Sequence, residues 1–168
     1  DLKSYRNACF FLKKLEPYTS STFFNKSKVY YLNKEGRSLI GSNKEVKRNS
    51  NIEHTLLRND VFLHLNCPID WKTEAVLEYE TEQPNSFGII VKGMNLKAKN
   101  KVVADAFYTR NGYTHIVEID NTRDMKDNLK KIQSYKELFP HLDTPRLEIF
   151  TTTKIRKQKF EKWLQEYK

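Results

Sequence analysis

The sequence predicts an α+β protein built in two parts, and three observations lead there. Helix-spaced apolar residues and strand-like alternation both recur along the 168 residues, the signature of mixed helix and sheet. A polar stretch at 41–51, without apolar periodicity, interrupts both patterns and reads as a connection. The charge is also uneven. Residues 1–48 hold 11 Lys+Arg (Lys3, Arg6, Lys13, Lys14, Lys26, Lys28, Lys34, Arg37, Lys44, Lys47, Arg48) against four acids (Asp1, Glu16, Glu35, Glu45), a net +7 that leaves only +2 of the total +9 for the rest.

Composition sets the outer limits. Hydrophobic residues at 38% and aromatics at 12% supply a packed core and argue against wholesale disorder. No segment approaches the ~20 consecutive apolar residues that cross a bilayer, and no signal peptide opens the chain, so a cytoplasmic protein without a membrane partner is expected. Cys9 and Cys67 have neither zinc-type spacing nor a disulfide framework.

The front part, 1–43, reads as a helix, a hairpin and a helix. Ser4 caps a helix in which Ala8, Phe11, Leu12 and Leu15 fall at i, i+3, i+4 and i+7, and Pro17 stops it. Lys3, Arg6, Asn7, Lys13 and Lys14 occupy its other face. Thr22-Phe-Phe and Val29-Tyr-Tyr-Leu32 are short strands around the turn Asn25-Lys-Ser-Lys28. Asn33 then caps a last helix, Lys34 to Ile40, closed by Gly41.

A basic helix beside a lysine-tipped hairpin fits double-stranded DNA: the helix lies in the major groove and the hairpin meets phosphates beside it. Lys13, Lys14, Lys26 and Lys28 would supply affinity with steep salt dependence. Arg6 and Asn7 carry the side chains that read guanine and adenine edges. The alternative is a small basic cap with no ligand. The run Val29-Tyr-Tyr-Leu-Asn-Lys-Glu-Gly36 resembles the wing and following helix of winged-helix DNA-binding domains. That resemblance makes residues 4–15 the recognition helix of a partial winged helix-turn-helix whose first helices are missing.

After a linker at 44–51, the rear part (52–168) is α+β with acids on strand faces. Residues 52–66 have helical spacing and carry His54, Asn59, Asp60 and His64, and Pro68 ends them. Trp71 to Glu80 alternates as a strand, with Glu74, Glu78 and Glu80 on one side and Ala75 and Leu77 on the other. In a second strand, Val102 to Thr109, Val103, Asp105 and Phe107 are expected to share a face. Asn111-Gly112 is a strong hairpin turn into a third strand, His115 to Asp120, where Ile116, Glu118 and Asp120 share a face. A long helix with Met125, Leu129, Ile132, Tyr135 and Phe139 at helical spacing follows, then a strand from Arg146 to Phe150. A last helix bears a packing stripe of Phe160, Trp163, Leu164 and Tyr167.

Glu74, Asp105, Glu118 and Asp120 are the chemically interesting set. Asp105 stands between Ala104 and Ala106, and Glu118 between Val117 and Ile119; burying such carboxylates is costly unless a cation or donors meet them. The Asn111-Gly112 hairpin places Asp105 roughly across from Glu118, within reach of one shared ion. Mg²⁺ suits carboxylate oxygens and water, and would activate water for attack on a phosphodiester. The alternative is a structural network in which the acids pair with Arg58, Arg123 or Lys131. His54 could donate to a phosphate or to Glu118. Arg123, where the third strand meets the long helix, could join a helix N-terminus in holding a phosphate.

The order of these acids is similar to the PD-(D/E)XK nuclease superfamily. More closely, the chain resembles the replication-relaxation family of plasmid and mobile-element proteins. The matching residues are His54-Thr-Leu-Leu-Arg-Asn-Asp60, Glu74, Val103-Ala-Asp-Ala106, Val117-Glu-Ile-Asp-Asn-Thr122 and Lys131-Ile-Gln-Ser-Tyr135. The resemblance covers residues 29 to about 140. It implies a winged-helix front and a nuclease-like α/β/α back with a mixed central sheet, acting on DNA in plasmid replication or mobilisation. A relaxase, a replication protein or a second copy of the chain are the partners it implies besides DNA. Two departures stand out: Ala104 replaces the usual Pro, and Asp120 replaces the lysine of Glu-x-Lys, which normally stabilises developing charge. Lys130 or Lys131, one helix later, could supply the missing amine. Three readings follow. The first is a DNA-binding accessory protein with a weak or inactive nuclease-like domain, the second an Mg²⁺-dependent endonuclease using Glu74, Asp105 and Glu118. The third is a transcriptional regulator dimerising through its rear domain.

Overall fold

The computed structural model describes residues 4–43, 45, 51–82 and 97–165, so Lys3, Tyr167 and most of the 44–51 linker lie outside the described residues. The chain divides into two compact units, Asp1–Ile52 and Glu53–Lys168. Among the described residues no helix is long and apolar enough to cross a membrane.

In the first unit, α1 (Tyr5–Lys14) starts where the Ser4 hydroxyl accepts the amide of Asn7, at 3.2 Å. A single 3₁₀ turn, Glu16–Tyr18, carries Pro17 in its first positions, where its missing N–H is harmless. Strands β1 (Thr19–Phe24) and β2 (Ser27–Leu32) pair antiparallel with Phe24 opposite Ser27. Asn25 and Lys26 both take positive φ (46° and 63°), the conformation a two-residue type I′ turn needs. Helix α2 (Lys34–Leu39) is capped by Asn33 Oδ1 on the Gly36 amide at 2.8 Å, and Asn33 Nδ2 donates to the Pro17 carbonyl at 2.9 Å. Gly36 is required by this close approach: a Cβ there would lie 2.1 Å from the Tyr18 carbonyl oxygen.

The apolar stripe of α1 differs from its expectation. Ala8 and Leu12 are half-buried, whereas Phe11 and Leu15 stay about half exposed. Two short strands and one two-turn helix offer too little surface to cover four apolar positions.

The second unit has three layers. Strand order is β3-β4-β5-β6, with β3 (Lys72–Glu82), β4 (Lys97–Arg110) and β5 (Tyr113–Asp120) antiparallel and β6 (Pro145–Thr151) parallel to β5. The parallel step is made by α4 (Met125–Leu138), because a parallel neighbour needs a crossover. Tyr135 and Leu138 of α4 pack on Tyr79, Val102, Ala104 and Ile116. Phe160 of α5 (Lys154–Gln165) is buried near Leu147 and Ile149 on that same face. On the opposite face, Val61, Leu57 and Leu65 from α3 and its C-terminal end (Ile52–His64, then Leu65) meet Ala106, Tyr108, Val117 and Ile119. The chain is therefore α+β with a mixed four-stranded sheet.

One local feature breaks simple alternation. In β4, Val102 and Ala104 face α4 but Ala106 and Tyr108 face α3, so the pleat changes sides at Asp105. At the start of β3 the same exchange lies between Trp71, just before the strand and on the α3 side, and Ala75, Leu77 and Tyr79, on the α4 side. Glu74, with φ of 54°, stands at that point. Thr73–Ala106 and Ala75–Ala104 are paired, and the register breaks between them, at Glu74 and Asp105. Phe107 therefore packs in the α4 layer, and the expected common face of Val103, Asp105 and Phe107 does not form.

Candidate functional site

The site is built where β4 and β5 separate. Their ladder runs from Arg110–Tyr113 to Ala106–Val117, and one step further along that register stand Asp105 and Glu118. The Asp105 side chain replaces the next rung: its Oδ2 accepts the backbone amide of Ile119 at 2.7 Å. Its Oδ1 lies 3.0 Å from Nε2 of His54, presented by α3. Burial pushes the Asp105 carboxyl up, but the His54 contact, the Ile119 amide and the nearby Lys131 charge outweigh it and hold it below the ordinary aspartate range.

Glu118 is addressed from the other layer. Lys131 Nζ lies 2.6 Å from Oε2, and the hydroxyl of Tyr135, one turn further along α4, donates to Oε1. Burial dominates here and raises the Glu118 carboxyl above its usual value; Lys131 opposes the shift and the Asp105 charge reinforces it. The same burial, with the Glu118 charge beside it, raises the Tyr135 phenol.

Asp120 points into the α4–α5 layer. It accepts from Asn128 Nδ2 at 2.7 Å and from Arg156 Nη2 at 2.6 Å, and Arg156 Nε donates to its second oxygen. Asp120 thus fastens α5 to the end of β5. Glu74 projects outward, two-thirds exposed, with Oε1 3.5 Å from Arg58 Nη1.

The structure thus brings Asp105, Glu118, Lys131 and His54 to one end of the β4–β5 pair, and gives Glu74 and Asp120 partners of their own. Arg58 and Lys131 pair with acids as the network alternative had it. Among the described residues Arg123 makes no such pair: its carbonyl accepts from Arg156, which takes the role on Asp120. His54 meets Asp105 rather than Glu118. Tyr135 was legible only as core, although its place four residues after Lys131 puts both on one helix face. Arg156 carried no local signal, since its acid lies 36 residues away.

Mg²⁺ needs several oxygens converging on one point. Among the described residues no three His, Cys, Asp or Glu side chains converge in that way, and the Asp105 and Glu118 oxygens are already engaged.

In the first unit, Lys13 of α1 and Lys28 of β2 line one cleft of about 470 Å³ with Thr19, Ser20, Ser21 and Tyr30. Arg6 and Asn7 are exposed on α1, and Lys26 stands at the hairpin tip. Lys14 and Lys28 lie over the rings of Phe10 and Tyr30, at 4.4 and 5.1 Å.

These features define a two-unit α+β protein whose acidic strand ends are countered by cationic side chains. The replication-relaxation family model matches residues 10–153, and the chain belongs to that family. No curated protein matches the chain. A solved structure described as the crystal structure of SSO0001 is similar over 61% of this chain and 44% of its own, at 20% identity and a TM-score of 0.37. The chain spans less than half the length of that protein.

Proposed function

We propose that the protein is a DNA-binding accessory factor of plasmid or mobile-element replication, relaxation or mobilisation. Its front unit acts as a partial winged helix that engages duplex DNA. Its rear unit is a PD-(D/E)XK-like nuclease scaffold with weak or no cutting activity. The placement of Lys131 on Glu118 carries the reading of the rear unit. A buried carboxylate that already holds an ammonium at 2.6 Å and a phenol is a satisfied pair, and Mg²⁺ would have to displace both donors. The front unit's support is the joint placement of Lys13 and Lys28 on one cleft, beside a helix whose outer face carries Arg6 and Asn7.

The test is duplex binding by the full chain as a function of salt. Affinity is expected to fall steeply from 50 to 200 mM salt. Lys13→Glu with Lys14→Glu is expected to remove most of it and to lower the salt slope by about 2, one for each lost phosphate contact. Affinity independent of salt and of those lysines would remove the front unit's assignment.

One observation favours the endonuclease reading: Asp105, Glu118 and a lysine do meet at one strand end, with Lys131 supplying the amine that Asp120 displaced. In that case Lys131 would leave Glu118 when DNA and Mg²⁺ arrive.

A further inference from the structure

Arg58 is under-satisfied where it stands. Its side chain is 12% exposed, and its one ion pair among the described residues is a 3.5 Å contact from Nη1 to a Glu74 that is 67% exposed. Its Nε is buried without a hydrogen-bond partner, the one such side-chain atom among the described residues. A buried donor left unmet keeps its full desolvation cost, so this rotamer is a poor resting place for a guanidinium. The partner is also unusual. Glu74 holds a left-handed backbone (φ 54°) inside a strand, a conformation costly to a side-chain-bearing residue and found where the surroundings impose it.

Arg58 and His54 are one turn apart on α3, and His54 meets Asp105. Glu74 and Asp105 both stand at the break in the β3–β4 register, between the Thr73–Ala106 and Ala75–Ala104 pairs. Arg58 thus flanks the place where β4 and β5 part, held by an exposed and weakly bound carboxylate. A guanidinium presents a planar fork of donors that matches two phosphate oxygens at once. We propose that Arg58 is a phosphate-binding residue of the rear unit: it exchanges Glu74 for a backbone phosphate of DNA lying along the strand ends. Glu74 then acts as its gate, an internal anion occupying the fork until DNA displaces it. This inference rests on the reading of the protein as DNA-binding and adds a rear-unit contact to it.

The test is fluorescence anisotropy of the full chain with a labelled 20-base-pair duplex between 50 and 200 mM salt, with far-UV circular dichroism on every variant. Arg58→Gln is expected to weaken binding about tenfold, the effect of one charge-assisted contact, and to lower the salt slope by about 0.9. Glu74→Gln is expected to strengthen binding several-fold, because the internal competitor is gone. Arg58→Lys keeps the charge and the fold but loses the fork, so affinity falls several-fold with the slope unchanged. This variant decides the matter if Arg58→Gln does not fold. Arg58 variants that fold and bind like the unaltered chain would overturn the inference alone. So would Glu74→Gln weakening binding as much as Arg58→Gln, which would mark the pair as a structural unit. An unaltered chain that does not bind the duplex would overturn the DNA-binding reading and this inference together.

Discussion

Lys131 and Glu118 meet at 2.6 Å across the boundary between α4 and the sheet, in surroundings that leave the carboxylate 9% exposed. The energetics of such a pair are asymmetric. Removing one partner strands the other without compensation, whereas replacing both with neutral groups of similar volume is often tolerated. Lys131→Met should lower unfolding free energy by about 3–5 kcal/mol. Adding Glu118→Gln should recover most of that loss. Urea denaturation of both variants checks it, and a double variant as unstable as the single one would disprove it.

The two site acids respond to pH in opposite senses. Asp105 has a lowered pKa, so it stabilises the fold above the ordinary aspartate value, and this contribution is lost as pH falls through the lowered value. Asp105→Asn should flatten the acid limb of the stability curve. Glu118 has a raised pKa, so the fold favours its neutral form. Its contribution is complete below the ordinary glutamate value and is lost as pH rises through the raised one. Stability measured from pH 3 to 7 in Asp105→Asn and Glu118→Gln should therefore change slope in opposite directions.

Gly36→Ala should disable the first unit selectively. The new methyl group meets the Tyr18 carbonyl oxygen at 2.1 Å, and main chain cannot swing aside as a flexible side chain would. Overpacking of this kind costs about 1–3 kcal/mol or more. It also pulls on the Asn33 cap that ties the 3₁₀ turn to α2. Limited proteolysis should cut within 4–43 in the variant while 97–165 stays protected.

Cleavage is the most direct enzymatic readout. Supercoiled plasmid incubated with the full chain and Mg²⁺ or Mn²⁺ should show little nicking over hours. Robust nicking that vanishes in Asp105→Ala would replace the accessory-factor reading with an endonuclease that releases Lys131 from Glu118.

Local rules made most of the architecture readable. Ser4, Asn33 and Asn111-Gly112 each act within a few residues, and the structure places two caps and a hairpin turn at them. The shared face of Ile116, Glu118 and Asp120 also follows from strand alternation, since β5 is regular there. The reversal at Asp105 was not readable, because a period of two is assumed to continue until a turn residue stops it. Glu74 is no turn former, and Asp105, although of a turn-forming type, stands in an apolar run that reads as unbroken strand. The partners of the acids were legible only as a set of available cations. Arg156 reaches Asp120 through the packing of α5, and long-range docking leaves no mark in local spacing.

Asp105 has a duty that requires no reaction. By taking the Ile119 amide where two strands diverge, it closes a gap in the main-chain hydrogen bonding that would otherwise sit bare inside the sheet. A protein that had never cut a phosphodiester would still need an acceptor at that fork. An aspartate at this spot is therefore accounted for by the main chain alone, before any chemistry is asked of it.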